Sequence, residues 1–254
     1  MKEFRVIPIL LLSGNGFVKT KKFKDPVYLG DSINTIKIFN TKGVDELVIL
    51  DINASKNNLG PNFDKLLELT TECFIPLSYG GGIKNLEDAS KVLKLGYEKV
   101  ILNSYALKDG LVNNISKKFG SSSTAVCVDY KKKFFGGYSV QNNLGYNKYK
   151  NNIIDYCRFL ENEGAGELIL QSVDRDGMYT GYDIELLNTI TSKLKIPVIS
   201  AGGASDILDF LKAVEAGASA VAAGSIFVFK GKHRAVLINY PERKILIENV
   251  FKKI

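Results

Sequence analysis

The chain has 254 residues, 45% of them apolar, and a formal net charge of +7 from 34 Lys and Arg against 27 Asp and Glu. That length suits one large domain or two small ones, and the apolar fraction is enough for a packed core. The longest apolar run, residues 6–12, falls far short of the roughly 20 residues a membrane-spanning helix needs, which excludes a transmembrane reading.

Lys2 and Arg5 lend that run a faint likeness to a secretion signal, but no small-residue cleavage site follows it. It stops at Ser13-Gly14-Asn15-Gly16, a turn signal, and reads as a first strand. Strand-length apolar runs recur at 47–52, 75–79, 99–102, 124–128, 168–171, 198–201 and 220–223, making eight. Between them lie segments of helical period, such as 86–95 and 207–216, each ending before a glycine, Gly96 or Gly217, that suits a helix C-terminus. Residues 131–150, rich in Gly, Asn, Lys and Tyr, read as a long loop after the fifth strand, and 234–241 as more strand-like than helical.

Residues 43–104 repeat in 164–225 at an offset of 121 positions. Gly43, Glu46 and Leu47 correspond to Gly164, Glu167 and Leu168, and Ile75-Pro76 to Ile196-Pro197. Gly81-Gly82 correspond to Gly202-Gly203, Gly96 to Gly217, and Ser104 to Ser225. Strand–helix alternation in two matched halves predicts a single (β/α)8 TIM barrel over residues 1–254, with half-barrels of about 1–120 and 121–254.

Cys73, Cys127 and Cys157 are odd in number and widely spaced, so neither a disulfide framework nor a metal site is indicated, and a reducing cytoplasm is expected. With His233 as the one histidine, catalysis falls to carboxylates, lysines or bound phosphates, and no cofactor is implied. The lysine clusters read first as solvated faces, next as attraction for an anionic small substrate, and last as nucleic-acid contacts, since aromatic interleaving is absent.

Gly80-Gly81-Gly82 and Gly202-Gly203 each follow a strand and precede a helix whose N-cap is expected at Asn85 or Ser205, a setting in which backbone amides converge on an anion. Asn103-Ser104 and Gly224-Ser225 repeat the arrangement one unit later, which predicts two phosphate pockets; a plain tight turn is the competing reading of any one copy. Asp51, Asp129, Asp174 and Asp176 stand after strands and are candidates for acid–base work, with loop shaping the alternative for Asp174 and Asp176. At the opposite strand ends, Arg5, Glu46, Lys99 and Glu167 alternate in charge and make a candidate ionic ring, or a plug that serves stability.

Over nearly its whole length the chain resembles the cyclase subunit of imidazole glycerol phosphate synthase, HisF. The resemblance runs through Asp45-Glu46-Leu47-Val48, Tyr79-Gly80-Gly81-Gly82-Ile83, Ser172-Val173-Asp174-Arg175-Asp176-Gly177 and Ala201-Gly202-Gly203-Ala204. It implies a heterodimer with a HisH-like glutaminase, whose ammonia passes an ionic gate at the barrel floor and rises along the axis to a small-molecule substrate with two phosphates. By position the gate resembles Arg5, Glu46, Lys99 and Glu167. The phosphate sites resemble Gly82, Asn103 and Ser104 on one side and Gly177, Gly203, Gly224 and Ser225 on the other, and Glu98 falls at the glutaminase interface. Of the family's two catalytic aspartates, Asp129 matches one, while Leu11 occupies the position of the other; no carboxylate stands between Glu3 and Asp25. Lys19, also expected near the chemistry, is present, and Ile9, Gln171 and Ala201 replace smaller or hydroxylated residues.

The opening Arg5-Val6-Ile7-Pro8 and the segment from Gly231 to Pro241 look like a HisF-like branch tied to surface-sugar biosynthesis. There ammonia would serve the conversion of acetamido to acetamidino groups by a separate sugar amidotransferase. The expected function is therefore ammonia channelling with reduced cyclase chemistry. A working cyclase of histidine biosynthesis is the alternative, and an unrelated phosphosugar isomerase on the same barrel a distant third.

Overall fold

The computed structural model describes residues 4–141, 149, 152–231 and 233–253. In chain order the elements begin with β1 (Arg5–Ser13), a hairpin of β2 (Gly16–Lys21) and β3 (Lys24–Asp31), and α1 (Ser32–Thr41). Then come β4 (Leu47–Asp51), α2 (Phe63–Glu72), β5 (Leu77–Gly80), α3 (Leu86–Lys94), β6 (Lys99–Leu102) and α4 (Leu111–Phe119). They continue with β7 (Thr124–Lys132), β8 (Tyr138–Val140), α5 (Ile153–Asn162), β9 (Glu167–Ser172), α6 (Ile184–Thr191), β10 (Val198–Ala201) and α7 (Ile207–Glu215). The chain closes with β11 (Ala220–Ala223), a one-turn α8 (Ser225–Val228), the pair β12 (Phe229–Lys230) and β13 (Ala235–Val236), and α9 (Arg243–Asn249).

β1 pairs in parallel with both β4 and β11, which closes β1, β4, β5, β6, β7, β9, β10 and β11 into an eight-stranded (β/α)8 TIM barrel. Because a strand's side chains alternate, a strand buried on both faces must be apolar throughout. β1 obeys this: Val6, Leu10 and Leu12 join the core between barrel and helices, while Ile7, Ile9 and Leu11 point into the lumen with Val48, Ile101, Ala125, Ile169, Ile199 and Ala222. The helices bury their apolar stripes through Ile36, Phe39, Leu66 and Phe210, each fully buried and each contributing about 1.5–3 kcal/mol. No helix among the described residues is long and apolar enough to cross a membrane.

Several boundaries differ from the sequence expectation, each for a local reason. The third barrel strand starts at Leu77 rather than 75, because Pro76 has no N–H for the ladder and contributes only its carbonyl, to Leu47 N at 2.9 Å. The helix after β10 is capped by Asp206, not Ser205: the Asp206 carboxylate accepts from the N–H groups of Leu208 and Asp209, while Ser205 Oγ donates to Asp209. Asn85 caps α3 as expected, and Gly96 and Gly217 follow their helices with φ of 101° and 91°.

The expected loop at 131–150 is in part a hairpin, since Lys131 and Lys132 extend β7 and pair with β8; residues 142–148 and 150 lie outside the described residues. In the C-terminal segment only Ala235 and Val236 are strand, paired with β12, and Arg243–Asn249 is a helix.

Candidate functional site

At the C-terminal ends of the barrel strands, loops from both halves of the sequence enclose a cavity of about 690 Å3. Its lining includes Leu11, Lys19, Asp51, Gly82, Asn103, Ser104, Asp129, Gly177, Gly203, Gly224 and Ser225. The two glycine-containing ends, 121 positions apart in sequence, thus face one space.

Asp129 sits near the top of β7, next to the lumen residue Cys127. Its Oδ2 accepts from Asn103 Nδ2 at 2.8 Å, and its Oδ1 from the Cys127 thiol at 3.5 Å. Burial pushes the Asp129 carboxyl up to about 7; the donors from Cys127 and Asn103 pull against that rise, and the charge of Asp176 adds to it. A carboxyl with this pKa can give or take a proton near neutral pH.

The same shift has a stability consequence. In the unfolded chain an aspartate ionises near 3.9, whereas in the fold Asp129 holds its proton to about 7, so stability falls as pH rises between those values. Asp129→Asn cannot ionise. It is expected to be more stable than the unmodified protein by on the order of 4 kcal/mol at pH 8, with the gap closing below pH 4, as read from thermal melts at both pH values.

Lys19 and Asp176 form a buried ion pair, Nζ to Oδ1 at 2.6 Å, and Thr20 Oγ1 donates to the other carboxylate oxygen at 3.0 Å. Two charges removed from water are tolerable only when paired in this way. The contact, with Lys22 N donating to Asp176 O at 2.9 Å, folds the β2–β3 hairpin over the mouth and lays the Lys19 side chain across Gly224.

The remaining acids shape loops. Asp51 Oδ1 accepts from the N–H groups of Asn53 and Ala54, and Asp174 from Lys132 N at 2.9 Å. The loop-shaping alternative thus holds for Asp174. Asp51 lines the cavity with one oxygen already committed to the turn.

The glycines at the rim are needed for close approach. At Gly203, φ is 113° and an added Cβ would lie 2.2 Å from Gly181 O and 3.0 Å from Arg175 Cβ. The neighbour is backbone and cannot step aside. Gly203→Ala is expected to cost about 2 kcal/mol or more, a drop in melting temperature of at least ~4 °C in a scanning calorimeter.

At the other end of the barrel, Arg5, Glu46, Lys99 and Glu167 close a ring. Arg5 bonds Glu46 through Nη1 and Glu167 through Nη2, the latter at 2.9 Å. Lys99 Nζ reaches Glu46 Oε1 at 3.1 Å and Glu167 Oε1 at 2.9 Å, and Ser78 Oγ donates to Glu46. Burial by itself raises the Glu167 carboxyl, but Lys99 and Arg5 outweigh it and hold it below the usual carboxylate value. Around and beyond the ring the lumen is walled by Ile7, Val48, Ala125, Ile169 and Ala220, with Ala220 in register with Arg5 and Ala125 with Glu167. Glu98 is exposed beside the ring and takes no part in it.

Residues 5–234 match the family described as histidine biosynthesis protein. The chain belongs to that family. It is 51% identical over 244 residues to a Pseudomonas aeruginosa protein named as a candidate imidazole glycerol phosphate synthase subunit hisF2, covering 95% of this chain and 97% of that one. It is 41% identical over 257 residues to a Vibrio vulnificus protein named as a candidate subunit hisF3, covering 98% of both chains. Imidazole glycerol phosphate synthase subunit HisF of Dictyoglomus thermophilum is 38% identical over 226 residues, 89% of this chain and 90% of its own.

Within this HisF-like frame, Leu11 is an inward residue of β1, almost fully buried, in register with Leu50 and lining the cavity. Sequence reasoning missed Thr20, Cys127 and Ser78 as partners of the charged groups. The Lys19–Asp176 pair spans 157 positions, so no local pattern announces it. Cys127 carried a faint signal, two positions before Asp129 on one strand and hence on the same face. Among the described residues no group of three or more His, Cys, Asp or Glu is placed to hold a metal ion.

Proposed function

We propose that this protein is a HisF-like synthase subunit that receives ammonia from a HisH-like glutaminase docked against the Arg5–Glu46–Lys99–Glu167 floor and delivers it through the barrel to a phosphorylated substrate in the mouth. The carrying observation is the pairing of a closed, charge-neutral floor with an apolar lumen, while Leu11 faces the cavity at the level where acid–base chemistry is expected. Neutral ammonia crosses an apolar lumen that ammonium, carrying an unpaired charge, would enter only at great cost. The substrate's phosphates take Gly82, Asn103 and Ser104 at one end of the mouth and Gly177, Gly203, Gly224 and Ser225 at the other, with Lys19 beside Gly224. These ends come from the two proposed half-barrels.

Asp129 then lacks a partner for cyclisation, so the subunit's own cyclase turnover is low. The delivered nitrogen serves the change of an acetamido into an acetamidino group on a sugar, completed by a separate amidotransferase. The alternative, a working cyclase of histidine biosynthesis, is favoured by one observation: Asp129 is poised near neutral pH with Asn103 and Lys19 in the same cavity.

Docking is tested by mixing the purified protein with a HisH-like glutaminase and measuring glutamate release from glutamine. A rise on mixing is expected, and its absence contradicts both readings.

A further inference from the structure

The β12–β13 hairpin reaches back from beyond the last barrel strand to the rim. Its turn places Gly231 and Arg234 at positive φ, 73° and 51°, with Arg234 N donating to Gly231 O at 3.1 Å. So aimed, Arg234 meets the β9–α6 loop. Its Nη2 donates to Gly177 O at 2.6 Å, and its guanidinium lies 4.9 Å from the Tyr179 ring centre and 5.2 Å from that of Phe229. Tyr179, itself at a positive φ of 57°, donates its hydroxyl to Ser225 O at 3.1 Å. Two non-glycine residues in a sparsely populated conformation persist only where the surroundings hold them.

The effect is a brace across one end of the cavity. Arg234 grips the chain at Gly177, and the Tyr179 under its guanidinium grips the chain at Ser225; both Gly177 and Ser225 line the mouth. Ser225 Oγ is buried with no hydrogen-bond partner among the described residues, as is Arg234 Nε. A buried hydroxyl without a partner is costly, and a ligand oxygen that accepts from it removes the cost. A guanidinium stacked between rings is already ordered and charged, so it adds positive potential to the rim with little further loss of freedom.

We propose that Arg234 is a positioning residue for a phosphate group held between Gly177 and Ser225, setting the spacing of those two segments and the field that the anion meets. This rests on the reading of that rim as an anion subsite.

The test titrates the full-length protein and its variants with inorganic phosphate while following backbone amide resonances. In the unmodified protein the amides of Gly177 and Ser225 shift with phosphate, as do those of Gly82 and Ser104 at the opposite end. Arg234→Ala is expected to weaken the response at Gly177 and Ser225 about tenfold and that at Gly82 and Ser104 less than about twofold, with Arg234→Lys intermediate at the former pair. Equal losses at both ends, no loss at Gly177 and Ser225, or Arg234→Lys no better than Arg234→Ala would overturn the assignment.

Should Arg234→Ala fail to fold, Tyr179→Phe, which keeps the ring and removes only the hydroxyl on Ser225 O, gives the same selective weakening, about threefold. Unchanged affinity in that variant overturns it equally. If Gly177 and Ser225 of the unmodified protein ignore phosphate while Gly82 and Ser104 respond, the anion reading of this rim fails, and the role of Arg234 with it.

Discussion

Leu11→Asp is expected to raise imidazole formation from the two-phosphate ribulosyl substrate and ammonium salt by about 10²-fold or more over a low starting rate. Ring closure needs a proton removed at one point and returned at another. On the proposed reading Asp129, with its carboxyl near 7, would serve one of these steps, and a leucine side chain can serve neither. Position 11 is inward on β1 and lines the same cavity as Asp129, so a carboxylate introduced there arrives in the mouth without any change of backbone. Lys19 and Asp176 do not substitute for it, since each is already the other's buried partner. Ammonium salt makes the assay independent of any glutaminase. Rapid turnover by the unmodified protein would refute the reduced-cyclase reading and favour the histidine-pathway alternative.

The second large effect concerns the floor. Glu46 is buried and meets Arg5, Lys99 and Ser78 at once. Removing it leaves two cations facing Glu167 alone, an uncompensated charge in a poorly hydrated site. Glu46→Ala should therefore cost about 3–5 kcal/mol. In a chain of this size that is a fall in melting temperature of roughly 6–20 °C. The double variant Glu46→Ala/Lys99→Ala restores neutrality, leaving the Arg5–Glu167 pair intact. Its loss should be smaller than that of Glu46→Ala alone, a coupling that independent sites would not show. Calorimetry of the two single variants and the double decides it: additive losses would mean that the four residues do not act as a ring. If ammonia crosses the floor as proposed, glutamine-dependent delivery should fall in the same variants while ammonium-dependent activity is retained.

Much of this architecture is legible in the sequence alone. The eight strands were readable because a strand covered on both faces carries apolar residues at every position, and β10 and β11 fall on their expected bounds. Gly96 and Gly217 marked helix ends because a chain turning out of a helix enters the left-handed region that glycine accepts. Even the ring was visible as four charges at equivalent strand starts, where burial forces opposite signs to alternate.

What escaped were contacts between distant segments. Asp206 caps α7 although Ser205 is an equally good cap by type, since the choice depends on which side chain faces the first free amides and on Asp209 claiming the serine. Asp129's carboxyl near 7 depends on how deeply the loops bury it, which no neighbour in sequence reveals. The union of Lys19 with Asp176, and of Arg234 with Gly177 and Tyr179, required the barrel to close first. By itself, then, the order of residues determined the barrel and the paired glycine rims, because periodicity and residue type are local properties, while the reading of Leu11 as standing in place of an aspartate came from the resemblance to HisF. Only the tertiary structure decided which acids reach the cavity free and which are consumed in loops or ion pairs, because that depends on distances between strands far apart in the chain.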